Sequence, residues 1–206
     1  LAAGELEGRL TVYDNNYQVS REYVNNMQGD IATVSYFLEG NRLFNGSISF
    51  DDHRFSTHIF IPKDIQYHGT QGKIRMMFWN EDGTYDGSAA LDTVHVGGIN
   101  PDAAADVTGP EISLYTGNDI MNNGAVVYDT SRIRIVFEDQ SGINITGTTG
   151  HVLEMRINGG SQVIDLSDLF SYSPDNYTRG VVEFPVYHYF DPGDHRIEIV
   201  AFDNYN

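Results

Sequence analysis

Along much of this chain apolar and polar residues alternate with a period of two. Arg54-Phe55-Ser56-Thr57-His58-Ile59-Phe60-Ile61 puts Phe55, Thr57, Ile59 and Ile61 on one side of an extended strand. Lys73-Ile74-Arg75-Met76-Met77-Phe78-Trp79 groups Ile74, Met76 and Phe78, with the two cations opposite. Arg132-Ile133-Arg134-Ile135-Val136-Phe137 repeats that pattern, and His195 to Phe202 sets Ile197, Ile199 and Ala201 on one side. Further strands are predicted over Leu6–Tyr13, Ile31–Leu38, Leu43–Phe50, Leu91–Val96, Ile112–Tyr115, Val152–Ile157 and Val181–Val186. No amphipathic helix longer than about ten residues is found, which is short for a helix. Asp165-Leu166-Ser167-Asp168-Leu169-Phe170 is read as at most one helical turn. A parallel α/β enzyme is therefore not expected, because its crossovers need helices.

The runs are short and separated by Gly, Asn and Asp, a spacing that predicts β-sandwiches with hairpin connections. Gly97-Gly98-Ile99-Asn100-Pro101-Asp102-Ala103-Ala104-Ala105-Asp106-Val107-Thr108-Gly109-Pro110 breaks the periodicity and reads as a linker. The expected fold is all-β, with two tandem immunoglobulin-like β-sandwich domains. Residues 1–98 form the first, 99–108 the linker and 109–206 the second. The halves show no strong internal repeat.

Charge and composition narrow the function. The 206 residues carry 12 Lys and Arg against 29 Asp and Glu, a formal charge of −17. Seven cations and 13 acids precede Gly98, and five and 16 follow it, so the net charges are −6 and −11. Such a surface repels phosphate backbones and anionic lipid, which argues against nucleic-acid binding. The chain has no Cys, so it contains no disulfide, thiolate metal site or cysteine nucleophile. No apolar run approaches the roughly 20 residues of a membrane-spanning helix. The chain starts at Leu1 without a signal peptide and stops at Asn206 after a strand-like run, and we read it as a piece of a longer protein.

Candidate chemistry is sparse. None of the seven His (His53, His58, His68, His95, His151, His188, His195) sits in a helical His-Glu-x-x-His arrangement. His53 and His58 are expected on opposite faces of a hairpin. A Gly-x-Ser-x-Gly elbow is lacking, and Gly147-Thr148-Thr149-Gly150 lacks the Lys and helix of a phosphate loop. No catalytic or cofactor-binding residue is singled out. Acidic and amide residues gather at Asp14-Asn15-Asn16, Glu138-Asp139 and Asp203-Asn204-Tyr205-Asn206. Oxygen-rich turns bind calcium when several converge, which makes Glu138, Asp139 and Asp203 the calcium candidates. The last two clusters end predicted strands and are placed to meet at one pole of a sandwich. Asx-turn chemistry explains the same residues without a metal.

Tyr85, Tyr115, Tyr172, Tyr177, Tyr187 and Tyr189 lie near loops or strand ends. Such rings either stack on sugars or serve as ordinary sheet residues. Asn45-Gly46-Ser47, Asn144-Ile145-Thr146 and Asn176-Tyr177-Thr178 match the N-glycosylation pattern, which is frequent by chance. The stretch Glu138–His151 is long for a hairpin and rich in Gly and Thr. It reads equally as a contact loop or as an ordered cap on the sandwich.

Several blocks carry a resemblance when taken in order. Asn41-Arg42-Leu43-Phe44-Asn45-Gly46 precedes Phe60-Ile61-Pro62-Lys63-Asp64-Ile65 and Gly72-Lys73-Ile74. Gly109-Pro110-Glu111-Ile112 precedes Glu138-Asp139-Gln140-Ser141-Gly142-Ile143-Asn144, Thr146-Gly147 and Gly150-His151. Tyr177, Gly180, Phe184-Pro185 and Pro192-Gly193-Asp194-His195 lead to Ala201-Phe202-Asp203-Asn204-Tyr205-Asn206. This order resembles the region downstream of the catalytic domain in PorU-type sortases of the Bacteroidetes type IX secretion system, which belong to the gingipain-like cysteine peptidase family. The resemblance covers nearly the whole chain, with Phe202 standing where the family pattern has Trp.

The resemblance implies a parent on the extracellular face of the outer membrane. Such a parent removes C-terminal sorting domains from secreted cargo proteins through a Cys–His pair. It then transfers the cargo to lipopolysaccharide. Implied partners are the parent's catalytic domain, an outer-membrane β-barrel shuttle, other surface components of the system, and cargo. The catalytic pair belongs to a caspase-like domain upstream, so no catalytic residue is carried onto this chain, which is expected to act as scaffold or docking region. The rival expectation is a carbohydrate-binding or adhesion module of a secreted surface protein.

Overall fold

The computed structural model describes residues 6–24, 29–52, 54–67, 69–103 and 106–205. The first half supplies β1 (Leu6–Tyr13), β2 (Tyr17–Val24), β3 (Ile31–Leu38), β4 (Arg42–Ser49), β5 (Gly72–Asn80) and β6 (Asp86–Val94). The second supplies β7 (Glu111–Thr116), β8 (Asp119–Ile120), β9 (Arg132–Glu138), β10 (Glu154–Ile157), β11 (Gln162–Asp165), β12 (Phe170–Ser173), β13 (Asn176–Pro185) and β14 (Ile197–Val200). A single 3-10 turn at Val186–His188 is the one helical element among the described residues. None of those residues forms a helix long and apolar enough to cross a membrane.

The protein is all-β, with open sheets packed as a β-sandwich. One sheet has nine strands in the order β6-β5-β1-β4-β12-β13-β9-β7-β8, and a three-stranded sheet runs β11-β10-β14. In β9 the predicted alternation holds, with Ile133, Ile135 and Phe137 buried. They join Phe170, Val182 and Phe184 from the same sheet, against Met155 and Ile157 from the other and Leu153 just before β10. Each large apolar side chain moved from water into such a core contributes about 1.5–3 kcal/mol.

The halves meet within the large sheet. β12 lies parallel to β4 through the Tyr172–Gly46 register. Phe44 stacks on Tyr172 with ring centroids 4.9 Å apart. A Cβ on Gly46 would sit 2.6 Å from the Phe44 ring and 2.9 Å from Tyr172 Cβ, so a larger residue there would push the strands apart. Asn45, itself buried, donates from Nδ2 to Phe170 O at 2.7 Å, and Arg42 pairs with Asp168. Between the halves, residues 95–100 and 106–110 have no regular secondary structure.

The strand expected over Arg54–Ile61 is not formed. β4 and β5 both run antiparallel to β1 on its two sides, so they are parallel to each other. A parallel return needs a long crossover rather than a hairpin. Residues 50–71 are that crossover, and both long edges of β4 are already occupied by β1 and β12. Ile59 and Ile65 still point inward, packing on the cluster that holds Leu10 and Val12. Asp165–Phe170 forms the single turn expected, with Leu169 N and Phe170 N both donating to Leu166 O.

Candidate functional site

The chemistry-bearing residues converge where the crossover of the first half meets the loop after β9. Ser141 to Thr146 is buried throughout. This part of the Glu138–His151 stretch therefore works as an internal cap. Its path needs Gly142, at φ 75°, where a Cβ would lie 2.8 Å from Tyr177 O. The Tyr172 hydroxyl clamps the loop twice. It donates to Ile143 O at 2.7 Å and accepts from Ile143 N at 2.9 Å. Burial raises the pKa of Tyr172, so the hydroxyl keeps the proton it donates.

Asp64 ties the crossover to this loop. One of its oxygens, Oδ2, accepts from Asn144 Nδ2 at 2.9 Å and Thr148 Oγ1 at 3.0 Å, and it lies 2.5 Å from His151 Nδ1. Burial alone would raise the pKa of Asp64. The hydrogen bonds from His151, Asn144 and Thr148 outweigh it, and the carboxyl is held below its ordinary value. Next to it, Lys63 N donates to Asn204 O at 3.1 Å, and Lys63 Nζ stands 3.5 Å over the Tyr205 ring.

Asp139 and Asp203 do meet at this pole. The partner that joins them is Asp106 from the segment between β6 and β7, and ligand oxygens of the three lie within 4.8 Å of one another. Glu138 stays outside the group, pairing with Arg179 at 3.1 Å. Ser141 N donates to Asp139 Oδ1, Ser141 Oγ to Asp106 Oδ2, and Tyr205 N to Asp203 Oδ1. Burial raises the pKa of Asp139, and the neighbouring Asp203 and Asp106 charges add to that rise against the Ser141 bond. Asp106 is held low by the Ser141 and Thr108 donors. An all-oxygen set of this kind suits a hard cation such as calcium, which takes six to eight oxygens. The linker residue Asp106 carried no sequence signal beyond being an acid in a break.

A groove of about 1350 Å³ opens beside these aspartates, lined by crossover residues including Ile59, Lys63 and Ile65, by His95, Asp102 and Asp106 from between β6 and β7, and by Tyr205. It joins apolar walls to one cation, Lys63, and one acid of the trio, Asp106.

The other sequence candidates have local duties. Asp14 and Asn15 are fully buried and latch the crossover. Asp14 Oδ2 accepts from Gln66 N at 2.6 Å, and Asn15 bonds Gln66 O, Val96 O and Val96 N. Burial raises the pKa of Asp14 against the Gln66 and Asn15 donors. Asn45 and Asn144 of the glycosylation patterns are buried, and only Asn176 of the three is exposed. Tyr172 is core, Tyr177 and Tyr189 pack against it, and Arg134 covers Tyr115. Tyr85 and Tyr187 are exposed. His58, His95, His188 and His195 are exposed, while His53, His68 and Asn206 lie outside the described residues.

Fold and site together define an all-β region whose polar residues stitch two halves of one chain together. Among solved structures, the crystal structure of dimeric latent PorU from Porphyromonas gingivalis is similar to this chain, at 26% identity and a TM-score of 0.47. The similarity covers 97% of this chain and 18% of that one, so this chain spans about a fifth of its length. No protein-family model and no curated protein matches.

Proposed function

We propose that this chain is a non-catalytic scaffold region of a surface sortase of the gingipain-like family, acting outside the cell next to its parent's catalytic domain. Under this reading it offers docking surface to the β-barrel shuttle, other secretion components and cargo. One observation carries the proposal. Several of the sequence blocks that resemble the family contribute residues to the junction between the halves.

Asn45 and Gly46 form the β4–β12 contact. Lys63 and Asp64 reach Asn204 and His151. Gly142, Ile143 and Asn144 are clamped by Tyr172 and Asp64, and the Phe60 ring lies against Tyr177. A junction tied at this many points resists hinge motion, which is what a spacer needs in order to hold a catalytic domain at a set height. The acidic surface keeps such a spacer solvated.

The test is the coding sequence upstream of this region in the parent gene. The expected result is a caspase-like domain bearing an unpaired Cys and a His. Glycoside hydrolase or adhesin repeats in that place would overturn the proposal in favour of a binding module.

A further inference from the structure

The nine-stranded sheet ends on β6, which among the described residues pairs with β5 alone. The opposite end of that sheet is β8, only two residues long. β6 runs for nine residues, and all but Gly87 and Val94 are exposed. Long edges are usually guarded by Lys, Pro or a bulge. The middle of β6, Gly87-Ser88-Ala89-Ala90-Leu91, has none of these. Its one irregularity comes later, where Asp92 and Thr93 share the place opposite Lys73. The two sides of this edge differ. On the inner side Gly87 stands opposite Phe78, Ala89 opposite Met76 and Leu91 opposite Ile74. A Cβ on Gly87 would lie 2.3 Å from the Phe78 ring, so that ring lies across the glycine toward the open edge. Phe50 packs edge-on to Phe78, and Leu91 is 52% exposed. On the outer side Ser88 stands beside Met77 and Ala90 beside Arg75. These short side chains screen little, and Met77 is 59% exposed.

We infer that β6 takes up an extended peptide segment of a partner protein as a tenth strand, with an apolar side chain beside Phe78 and a carboxylate beside Arg75. The open edge offers a row of backbone N–H and C=O groups, and alternate side chains of an added strand fall on opposite faces. A residue opposite Gly87 shares the inner face and meets the Phe78 ring. A residue opposite Ala90 lies on the outer face, where a side chain of Glu length spans the alanine to reach Arg75. Charge fixes which end takes the carboxylate. Arg75 and Lys73 share a single acid, Glu39. Arg9, beside Met77 on β1, has no ion-pair partner among the described residues. The acids Glu7 and Asp86 flank Trp79 at the other end of the outer face. An added carboxylate is therefore attracted at Ala90 and repelled near Asp86. A second copy of this chain fits poorly, since β6 against β6 would bring Asp86 and Asp92 of both copies onto one ladder and set one −17 molecule against another. This inference rests on the β6 edge alone and stands apart from the family reading.

The test uses the whole chain and a fluorescein-labelled peptide, Thr-Val-Glu-Val-Thr-Leu-Thr. Laid antiparallel to β6, it sets Glu opposite Ala90 and Leu opposite Gly87. Fluorescence anisotropy should show it binding about ten-fold more tightly than the same peptide with Lys in place of Glu, one strong charge contact. Arg75→Glu should reverse that order. Ala90→Glu, at an exposed edge position, should weaken the Glu peptide while leaving Arg75 in place. Two further peptides carry N-methyl groups on one or the other set of alternate residues. Successive amides of a strand point to opposite edges, so one of these two should bind like the parent and the other at least about ten-fold more weakly. Absence of binding at millimolar peptide, like behaviour of the two N-methylated peptides, or an order unchanged by both substitutions would each overturn the inference. So would self-association in sedimentation velocity that Ala90→Glu removes, which would make the occupant a second copy.

Discussion

Tyr172 shows how much one hydroxyl does in this molecule. It satisfies both the N–H and the C=O of Ile143 from a position that is 2% exposed. Tyr172→Phe keeps the ring stacked on Phe44 and orphans two buried backbone groups. The expected cost is about 1–3 kcal/mol in urea unfolding, the usual penalty of an unsatisfied buried group. Asp139 works the other way. Its folded pKa is raised by burial and by Asp203 and Asp106. Between the ordinary carboxylate value and that raised value, the native state holds the proton better than the unfolded chain. Stability is therefore lost as pH rises through this window. Asp139→Asn retains an acceptor for Ser141 N and removes one repelling charge. It should raise the melting temperature at pH 7, and the gain should vanish below the ordinary carboxylate range. Millimolar calcium added to the same pair of proteins separates repulsion from a shared cation, because a bridging ion would turn the gain at pH 7 into a loss.

At the scale of elements, the decisive contact is β4 against β12. Asn45→Ala leaves Phe170 O without its donor in a buried place, and should cost about 1–3 kcal/mol. Calorimetry should show the unfolding of both halves shifting down together, since the strands on either side share one sheet. Two separated transitions would show that the junction does not couple them. Elements with four or more alternating residues were legible beforehand. β1 and β3 fall on the predicted bounds, β9 buries its predicted face, and the predicted face of β14 is half-buried against the core. Of the four-residue strands, β10 and β14 sit in longer alternating runs of the sequence, whereas β11 and β12 do not, so no period shows there. β2 was hidden because Arg21 interrupts its apolar side. Arg54–Ile61 misled for a different reason, since alternation reports an extended chain and a two-faced environment, and a crossover provides both without a pairing partner.

For the molecule as a whole, charge is the main variable. With −17 spread over 206 residues, like charges repel in the native state more than in the expanded chain. Molar sodium chloride should therefore raise the melting temperature, and a flat response would mean that the repulsion is already balanced locally, as at the Glu39 pair with Lys73 and Arg75.

What the sequence determined alone was the all-β class, most strand positions and the acidic character. Each of these is written in neighbouring residues, through side-chain period, turn chemistry and net charge. The tertiary structure alone decided which distant residues meet. It brought linker Asp106 rather than Glu138 to Asp139 and Asp203, set Asp64 against His151, and joined β4 to β12 in parallel. Those outcomes depend on chain crossings dozens of residues long, where packing and the free edges of strands choose the neighbour and local pattern has no say.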